Sequence, residues 1–143
     1  MNHVQTRIRP GARSAQAYAD IGLETRVSSA TPEQLITLLF DGALAAIAKA
    51  RLYLHNGDTS GRGKALSNAI DIVESGLKAS IDTDAGGDLA NNLVAVYDTV
   101  VRHLLLANMN ADAANLDVAE RLLADIGGAW RDIAGTRSAE AQS

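Results

Sequence analysis

Acidic side chains carry most of the potential chemistry in this sequence, and a metal centre is the first site to test for. A di-iron site in a helical bundle needs inward-facing glutamates, some of them in Glu-x-x-His pairs. Three residues after Glu24, Glu33, Glu74 and Glu120 the chain has Val, Ile, Leu and Leu instead of His. The spacing therefore does not favour a di-iron site.

The stretch 82–88 has the spacing of the start of a calcium-binding loop. Asp82, Asp84 and Gly87 would occupy the first, third and sixth positions of an EF-hand. The twelfth position, where that loop needs a bidentate Glu, is Leu93. We interpret the stretch as a glycine-rich turn with Asp88 near a helix N-terminus, where a negative charge is favourable.

Histidine and cysteine give no support for catalysis. His3, His55 and His103 are scattered, no grouping of Ser, His and Asp is visible, and the chain has no cysteine. The lack of cysteine removes disulfides and thiolate chemistry. We therefore expect a protein that is not an enzyme and that has no metal and no other cofactor.

Asp41 is the polar residue that stands out, because it follows Leu38, Leu39 and Phe40 and precedes Gly42. At 100° per residue its side chain falls on the polar side of a helix, so we expect it to face solvent. Gly42 would then let another helix approach closely. A pairing of Asp41 with a basic residue such as Arg102 remains open at this stage.

Length and charge indicate one domain with a basic N-terminal arm. The chain has 143 residues and a net charge of −4, and its first fourteen residues contain Arg7, Arg9 and Arg13. We expect residues 1–14 to be a disordered tail, and no basic helical face accompanies it as a nucleic-acid binder would require. No apolar run could span a bilayer and no signal-peptide pattern is present, so we expect a cytosolic protein.

The element that must organise the fold is a helix beginning at residue 32. Thr31 is a suitable N-cap, Pro32 suits the first helical position, and Gln34 can complete a capping box. Apolar residues continue at helical spacing to Leu54, and Asn56 with Gly57 is a typical stop signal.

Three further periodic runs predict helices over about 64–81, 89–107 and 112–133. Short connections between four helices favour an all-α, antiparallel up-and-down four-helix bundle, with a short additional helical segment within 15–27. We assign 15–135 to the bundle domain and 136–143 to a loose tail. Gly127 and Gly128 would weaken the end of the last helix.

The first and third long helices have apolar arcs that cover about half of their circumference, more than one bundle seam needs. Either the segment with Tyr18 and Ile21 covers the surplus, or an amphipathic partner helix docks there, and both hold if that segment is a displaceable lid. A self-associating bundle would bury the same arcs in a homodimer. The residues that the helical angles place in such a groove are Ile36, Phe40, Leu44, Ile47, Val94, Val101 and Leu105.

Several short motifs, in order along the chain, carry a resemblance to a known family. They are Ala17-Tyr18, Ser29-Ala30-Thr31-Pro32-Glu33-Gln34-Leu35, Leu39-Phe40-Asp41-Gly42-Ala43, Lys64-Ala65-Leu66-Ser67, Gly76-Leu77-Lys78, Gly86-Gly87-Asp88-Leu89-Ala90-Asn91-Asn92-Leu93, Tyr97-Asp98, Leu104-Leu105, Ala107-Asn108 and Ala129-Trp130. From about Tyr18 to Ile133 the chain resembles the flagellar secretion chaperone family. His103 stands where that family often has a second basic residue beside the one that matches Arg102.

The resemblance implies a cytosolic export chaperone with a helical bundle and no enzymatic activity. Such chaperones bind the C-terminal segment of flagellin, prevent its premature polymerisation and deliver it to the flagellar type III export gate. By this resemblance Tyr18 would belong to the N-terminal lid. The expected partners are flagellin and the export gate, without nucleic acid or membrane insertion, and the protein would be a monomer or a weak homodimer that binds its client one to one.

Overall fold

The computed structural model describes residues 29–141, with side chains up to Thr136. The predicted all-α class is confirmed. The helices are α1 (Pro32–His55), α2 (Thr59–Asp71), α3 (Thr83–Asn110) and α4 (Ala113–Ala141). The predicted N-terminal tail and the segment within 15–27 lie outside the described residues.

The start and the end of α1 are those that the sequence predicts. The Thr31 side chain accepts a hydrogen bond from the backbone N–H of Gln34, and the Gln34 side chain accepts one from the N–H of Thr31. Pro32 occupies the first turn, where its missing N–H costs nothing. The helix ends at the C-cap Asn56, and Gly57 follows with φ of +73°.

The second helix begins earlier than the periodicity predicts. The Asp58 side chain caps it by accepting a hydrogen bond from the N–H of Gly61, although Gly61 and Gly63 make the sequence read as a connection. Gly61 has a packing role, because a Cβ at this position would lie 2.6 Å from the ring of Tyr53 on α1. Contact with α1 therefore outweighs the low helix propensity of these glycines.

The second helix does not stay α-helical to its predicted end. A π-helical turn occupies Ile72–Leu77 and a 3₁₀ turn occupies Lys78–Ser80. Gly76 lies in the π-helical turn, where a Cβ would be 2.7 Å from a methyl group of Leu39. The close approach of α1 thus occurs at the π-helical turn, where backbone hydrogen bonds join residues five apart instead of four. The hydrophobic periodicity of the sequence does not indicate this turn.

The turn at 82–88 is partly helical and contains a kink. The Asp82 side chain accepts hydrogen bonds from the N–H groups of Asp84 and Ala85, so α3 begins at Thr83 rather than at Leu89. Gly87 interrupts the helix with φ of +58° and ψ of −138°. This conformation is one that glycine adopts without steric cost.

The last connection and the last helix differ from prediction at one end only. Ala111 adopts the left-handed conformation after α3, and the Asp112 side chain accepts a hydrogen bond from the N–H of Ala114 at the start of α4. The helix then runs through Gly127 and Gly128 to Ala141, beyond the predicted end near Ile133. Its last turns include residues that the sequence assigned to a loose tail, and the domain boundary at 135 stays a prediction.

Cross-helix contacts show which helices are neighbours. The first helix packs on α2 and α4, and α3 packs on the same two helices. Arg51 near the end of α1 contacts Asp117 near the start of α4, whereas Thr37 near the start of α1 contacts Trp130. These two helices are therefore antiparallel. The predicted up-and-down order of all four helices stays a prediction that agrees with these contacts.

The core is almost entirely aliphatic, as the composition predicts. Its largest fully buried side chains are Leu39, Ile47, Leu66, Ile72, Leu77, Leu104, Leu116, Leu123, Val73 and Val100. Phe40 and Tyr97 add an aromatic pair with ring centroids 6.5 Å apart. This pair joins α1 to α3 across the centre of the bundle.

Candidate functional site

An apolar cavity of about 440 Å³ lies at one end of the bundle. The start of α1, the end of the second helical segment, the start of α3 and the second half of α4 surround it. Its lining residues are Pro32, Glu33, Leu35, Ile36, Phe40, Leu77, Ser80, Ile81, Leu93, Tyr97, Ile126 and Trp130. We call this feature the end cavity.

Aromatic residues form the floor and one wall of the end cavity. Phe40 is 2% exposed, and the backbone of Gly127 approaches it so closely that a Cβ there would lie 3.2 Å from its ring. Trp130 is half-buried, and its indole N–H donates a hydrogen bond of 3.1 Å to the Thr37 hydroxyl. Burial raises the pKa of the Tyr97 phenol above its usual range, so the ring is neutral at physiological pH.

Two ion pairs hold the helices beside the end cavity. Arg131 on α4 pairs with Asp41 on α1. Lys78 lies 2.6 Å from Asp98 on α3 and 3.6 Å from Glu74, and the hydrogen bond to Asp98 raises the pKa of its ammonium group. Because these ion pairs are partly exposed, each adds little to the stability of the fold, but each fixes the position of one helix relative to its neighbour.

Apolar surface continues outwards from the end cavity on two helices. Leu89 lies one turn before Leu93 on α3 and is 79% exposed. Ile133 lies three residues after Trp130 on α4 and is 49% exposed. Residues three and four apart share a helix face, so both side chains extend the apolar lining towards solvent.

The opposite end of the bundle is closed by polar contacts. Arg62 on α2 donates hydrogen bonds to the side chain and to the backbone carbonyl of Asn108 on α3, both at 3.1 Å. Arg51 on α1 bridges Asp117 and Glu120 on α4 at 2.6 and 2.8 Å. We call this region the closed end.

The structure brings only two of the seven predicted groove residues to the end cavity. Ile36 lines its wall and Phe40 forms its floor. Ile47 is fully buried in the core and presents no surface to a partner. Leu44 is half-buried. It lies seven residues, or two helical turns, from both Thr37 and Arg51, and both of these residues contact α4. Leu44 therefore lies on the flank of α1 that faces α4.

The three predicted residues on α3 lie on a different flank. By helical spacing, Val94, Val101 and Leu105 share a face with Asp98 and Asn108. These two polar residues contact Lys78 and Arg62, so this face borders α2 and the 3₁₀ turn that follows it. Leu105 is 51% exposed there, while the other two are half-buried. The proposed lid residues Tyr18 and Ile21 lie outside the described residues.

Sequence reasoning missed most of the lining of the end cavity. By periodicity Leu77, Ile81, Ile126 and Trp130 lie on the narrow apolar stripes of their helices, and Leu93 and Tyr97 lie in the wide apolar arc of α3 without being chosen as groove residues. The signal that could have found several of them is position, because Leu77 and Ile81 end the second helical segment, Leu93 lies in the first half of α3 and Trp130 in the second half of α4, and alternating helix directions bring these parts together. Comparing the positions of these residues between helices would therefore predict a cavity at one end of the bundle.

The structure gives the partners of two polar residues that the sequence left open. Asp41 is partly exposed, as its helical angle predicts, and the basic residue that pairs with it is Arg131 and not Arg102. The Nδ1 atom of His103 lies 2.8 Å from the side-chain oxygen of Asn115, a contact that joins the end of α3 to the start of α4. Both partners are on α4, which periodicity within one helix does not indicate.

Two kinds of feature are absent from the described residues, a metal-binding cluster and a membrane-spanning helix. Within residues 29–136, no group of three or more His, Asp or Glu side chains is placed to hold a metal ion. No helix in the described part of the chain is long and apolar enough to cross a membrane. The end cavity can bury apolar groups.

Comparison with known proteins gives consistent matches over most of the chain. The sequence model of the family described as "Flagellar protein FliS" matches residues 14–137. The flagellar secretion chaperone FliS of Salmonella typhimurium is 47% identical over 122 residues, which cover 85% of this chain and 90% of the relative. The protein of the same name in Escherichia coli is 42% identical over 121 residues, covering 85% and 89%. The flagellar secretion chaperone FliSB of Pseudomonas aeruginosa is 32% identical over 121 residues, covering 85% and 95%.

Proposed function

The chain belongs to the FliS family of flagellar proteins, and we propose that it binds the C-terminal amphipathic segment of flagellin in the end cavity. Through this contact it prevents premature polymerisation of flagellin in the cytosol and delivers it to the flagellar type III export apparatus. FliS is a chaperone family and not a known enzyme family, which fits the prediction of a protein that is not an enzyme.

The single observation that carries the proposal is the open, apolar character of the end cavity. Aliphatic and aromatic side chains line it. At the closed end, by contrast, arginine side chains bridge the helices. An amphipathic helix docks by placing apolar side chains from one of its faces into such a depression. Burying one Leu-sized side chain stabilises a complex by about 1.5–3 kcal/mol, so a few anchors offset the cost of ordering the client.

Leu89 and Ile133 give the client a path away from the end cavity. They lie on neighbouring helices and are both largely exposed. A client helix with one anchor in the cavity would cover them with its next turns. The segment with Tyr18 and Ile21 would act as a lid that covers the same apolar surface before the client binds.

The test is titration calorimetry with the C-terminal segment of the cognate flagellin and a scrambled segment as control. We expect one-to-one binding with a negative heat-capacity change, because apolar surface is buried. Ile36→Asp should weaken binding by more than tenfold, since the new carboxylate would be desolvated by the client. Leu52→Asp is the matched control, because Leu52 is 59% exposed on the same helix near the closed end.

Two further variants separate the end cavity from the flank of α3 that borders α2. Leu105→Asp and Val94→Ala should leave client affinity within about twofold, because Leu105 is 51% exposed and Val94→Ala only shortens a half-buried side chain away from the end cavity. If these variants abolish binding and Ile36→Asp does not, the client binds on that flank and not at the end cavity. If the segment does not bind and the mass of the protein rises with concentration, the homodimer alternative replaces the proposal.

A further inference from the structure

The polar side chains that line the end cavity are those of Glu33, Ser80, Tyr97 and Trp130. Two of them use their donor groups within the chain. The Trp130 indole N–H donates to the Thr37 hydroxyl at 3.1 Å. The Ser80 hydroxyl donates to a backbone carbonyl one turn earlier at 2.7 Å. The Glu33 carboxylate has no proton to donate when it is ionised, so the donor that is left is the phenol of Tyr97.

The Tyr97 hydroxyl has no hydrogen-bond partner among the described residues. Tyr97 as a whole is only 3% exposed. Within residues 29–136, no buried side chain has an oxygen or nitrogen that is both sealed from water and without a partner. The hydroxyl therefore keeps a small opening to water. Because Tyr97 lines the end cavity, that opening is on the cavity.

A donor in this position constrains what can occupy the end cavity. Buried tyrosine hydroxyls usually have a partner, because an unpaired one loses the hydrogen bond that it makes with water in the unfolded chain. Burial raises the pKa of the Tyr97 phenol, so the proton stays on the oxygen at physiological pH and the group can donate. While the cavity is open, only water can accept this hydrogen bond. An occupant that displaces the water must bring an acceptor, or the donor is left unpaired at a cost in affinity.

Charge narrows the kind of acceptor that the occupant can bring. Glu33 is in the cavity wall. The turn that follows the lining residue Ile81 carries three exposed aspartates, Asp82, Asp84 and Asp88. A carboxylate on the occupant would be repelled by these groups and would lose its hydration among apolar side chains. Lysine and arginine side chains are donors only, so the acceptor must be a neutral oxygen.

A side-chain amide fits the polar part of the lining better than a hydroxyl does. Its carbonyl oxygen can accept from Tyr97, and its NH₂ group needs acceptors of its own. The Glu33 carboxylate and the Ser80 hydroxyl oxygen are lining groups with lone pairs for those two protons. The methylene groups of Asn or Gln are apolar and suit the aliphatic walls. An amide therefore uses both the donor and the acceptors that the cavity offers.

We propose that Tyr97 selects the client by donating a hydrogen bond from its hydroxyl to the side-chain amide oxygen of an Asn or Gln that lies among the apolar anchors of the client helix. The client is the flagellin segment, so this inference rests on the proposed function. The aliphatic and aromatic lining binds the other anchors, and Tyr97 fixes the position at which one anchor is an amide. A segment with an aliphatic side chain at that position leaves the hydroxyl unpaired and binds more weakly.

Tyr97→Phe is the direct test, because it removes the hydroxyl and keeps the ring. In titration calorimetry of the full-length chain at neutral pH, this variant should bind the C-terminal flagellin segment about three to ten times more weakly, as expected for the loss of one hydrogen bond. Tyr53→Phe is the matched control, because Tyr53 is half-buried near the C-terminal end of α1, away from the end cavity. Its affinity should stay unchanged. Equal weakening by both variants would overturn the proposal.

The stability of the same variant separates a role in binding from a role in the fold. The Tyr97 hydroxyl makes no hydrogen bond within the described bundle, and the phenyl ring of Tyr97→Phe fills the same place. The urea midpoint at neutral pH should therefore be unchanged or higher while client affinity falls. A lower urea midpoint together with unchanged client affinity would assign the hydroxyl to the fold and overturn the proposal.

Replacements in the client locate the partner of Tyr97. Each Asn of the segment is replaced by Leu and each Gln by Met, which remove the amide and keep a similar volume. At one position the replacement should weaken binding to the unmodified chain by about three- to tenfold. The same replacement should hardly affect binding to Tyr97→Phe, because both changes remove the same hydrogen bond. If only replacements of Ser or Thr show this coupling, the amide assignment is wrong.

The proposed function and the role of Tyr97 fail in different ways. If the segment binds the unmodified chain and Tyr97→Phe equally tightly, the proposed function stands and the role of Tyr97 is wrong. If the segment does not bind the unmodified chain at all, the proposed function fails, and a small probe then decides the role of Tyr97.

That probe is ε-caprolactam, a soluble cyclic amide with an apolar ring. Trp130 reports its binding, because it is the single tryptophan of the chain and lines the end cavity. We expect a saturable change in the emission of the unmodified chain and of Tyr53→Phe, at concentrations several times lower than Tyr97→Phe requires. Equal titrations of Tyr97→Phe and the unmodified chain, or no saturable change in any of them, would overturn amide recognition by Tyr97.

Discussion

At the closed end of the bundle, Arg62 and Arg51 join neighbouring helices through hydrogen bonds and ion pairs. At the other end, aliphatic and aromatic side chains surround the end cavity, and Leu89 and Ile133 remain exposed beside it. The polar groups at the closed end have hydrogen-bond partners within the chain. Exposed apolar surface, by contrast, is stabilised only when another apolar surface covers it and removes it from water. The two ends therefore differ in the polarity of what lies between the helices: arginine contacts satisfy polar groups at the closed end, and apolar side chains line an open depression at the other.

The largest expected effect comes from the floor of the end cavity. Phe40→Ala should lower the free energy of unfolding by about 3–5 kcal/mol, because the ring contacts Gly127 and Tyr97 and is almost fully buried. Urea denaturation followed by circular dichroism measures this. Ile36→Ala in the cavity wall is the matched variant and should cost clearly less, since Ile36 is only half-buried. Equal losses would mean that the wall is as much a part of the core as the floor.

At the closed end, Arg62→Met should lower the free energy of unfolding by about 1–2 kcal/mol. The substitution removes two hydrogen bonds and leaves a part-buried side-chain oxygen and carbonyl of Asn108 without that donor. Client affinity measured by calorimetry should not change. A loss of affinity as large as that of Ile36→Asp would show that the two ends are not separate in function.

Alkaline pH should destabilise the end cavity through Tyr97. In the unfolded chain a tyrosine loses its proton near pH 10, whereas burial raises the pKa of Tyr97 in the folded protein. Above about pH 10 the folded state therefore binds more protons than the unfolded state, and stability falls as pH rises, by at most about 1.4 kcal/mol per pH unit.

Tyr97→Phe should flatten this decline when unfolding is measured at several alkaline pH values. The raised pKa of Lys78 acts in the same direction, since its stabilising contact is present below about pH 10.5 and is lost at higher pH. Lys78→Met therefore serves as the comparison that separates the two groups. A Tyr97→Phe variant with an unchanged decline would assign the effect to Lys78.

The smallest expected effect distinguishes two neighbouring glycines of α4. Gly128 is exposed and a Cβ there would meet nothing within 4 Å, so Gly128→Ala should raise the free energy of unfolding by about 0.5–1 kcal/mol. Gly127→Ala should gain less, because its Cβ would press on the ring of Phe40 at the cavity floor. Thermal unfolding of both variants checks the order. The reverse order would mean that the floor is loosely packed.

The sequence predicted the boundaries of the helices better than it predicted which of their residues line the end cavity. The cap formed by Thr31 and Gln34, the stop at Asn56 and the start near Asp112 are local signals, and the structure has all three. The groove prediction combined Ile36 and Phe40 with Ile47, Val101 and other residues that belong to the core or to another flank. Helical angles identify the apolar face of a helix. They do not indicate which part of that face an adjacent helix covers.

The sequence by itself determined the all-α class, the aliphatic core and the resemblance to the flagellar secretion chaperone family, because these depend on periodicity, composition and short motifs. Only the tertiary structure decided that apolar side chains from all four helical segments meet in a cavity at one end of the bundle and that Asp41 pairs with Arg131. Which end remains open depends on how four helices of different length and bulk meet. The close approaches at Gly61, Gly76 and Gly127 set those distances, and no pattern within a single helix contains them.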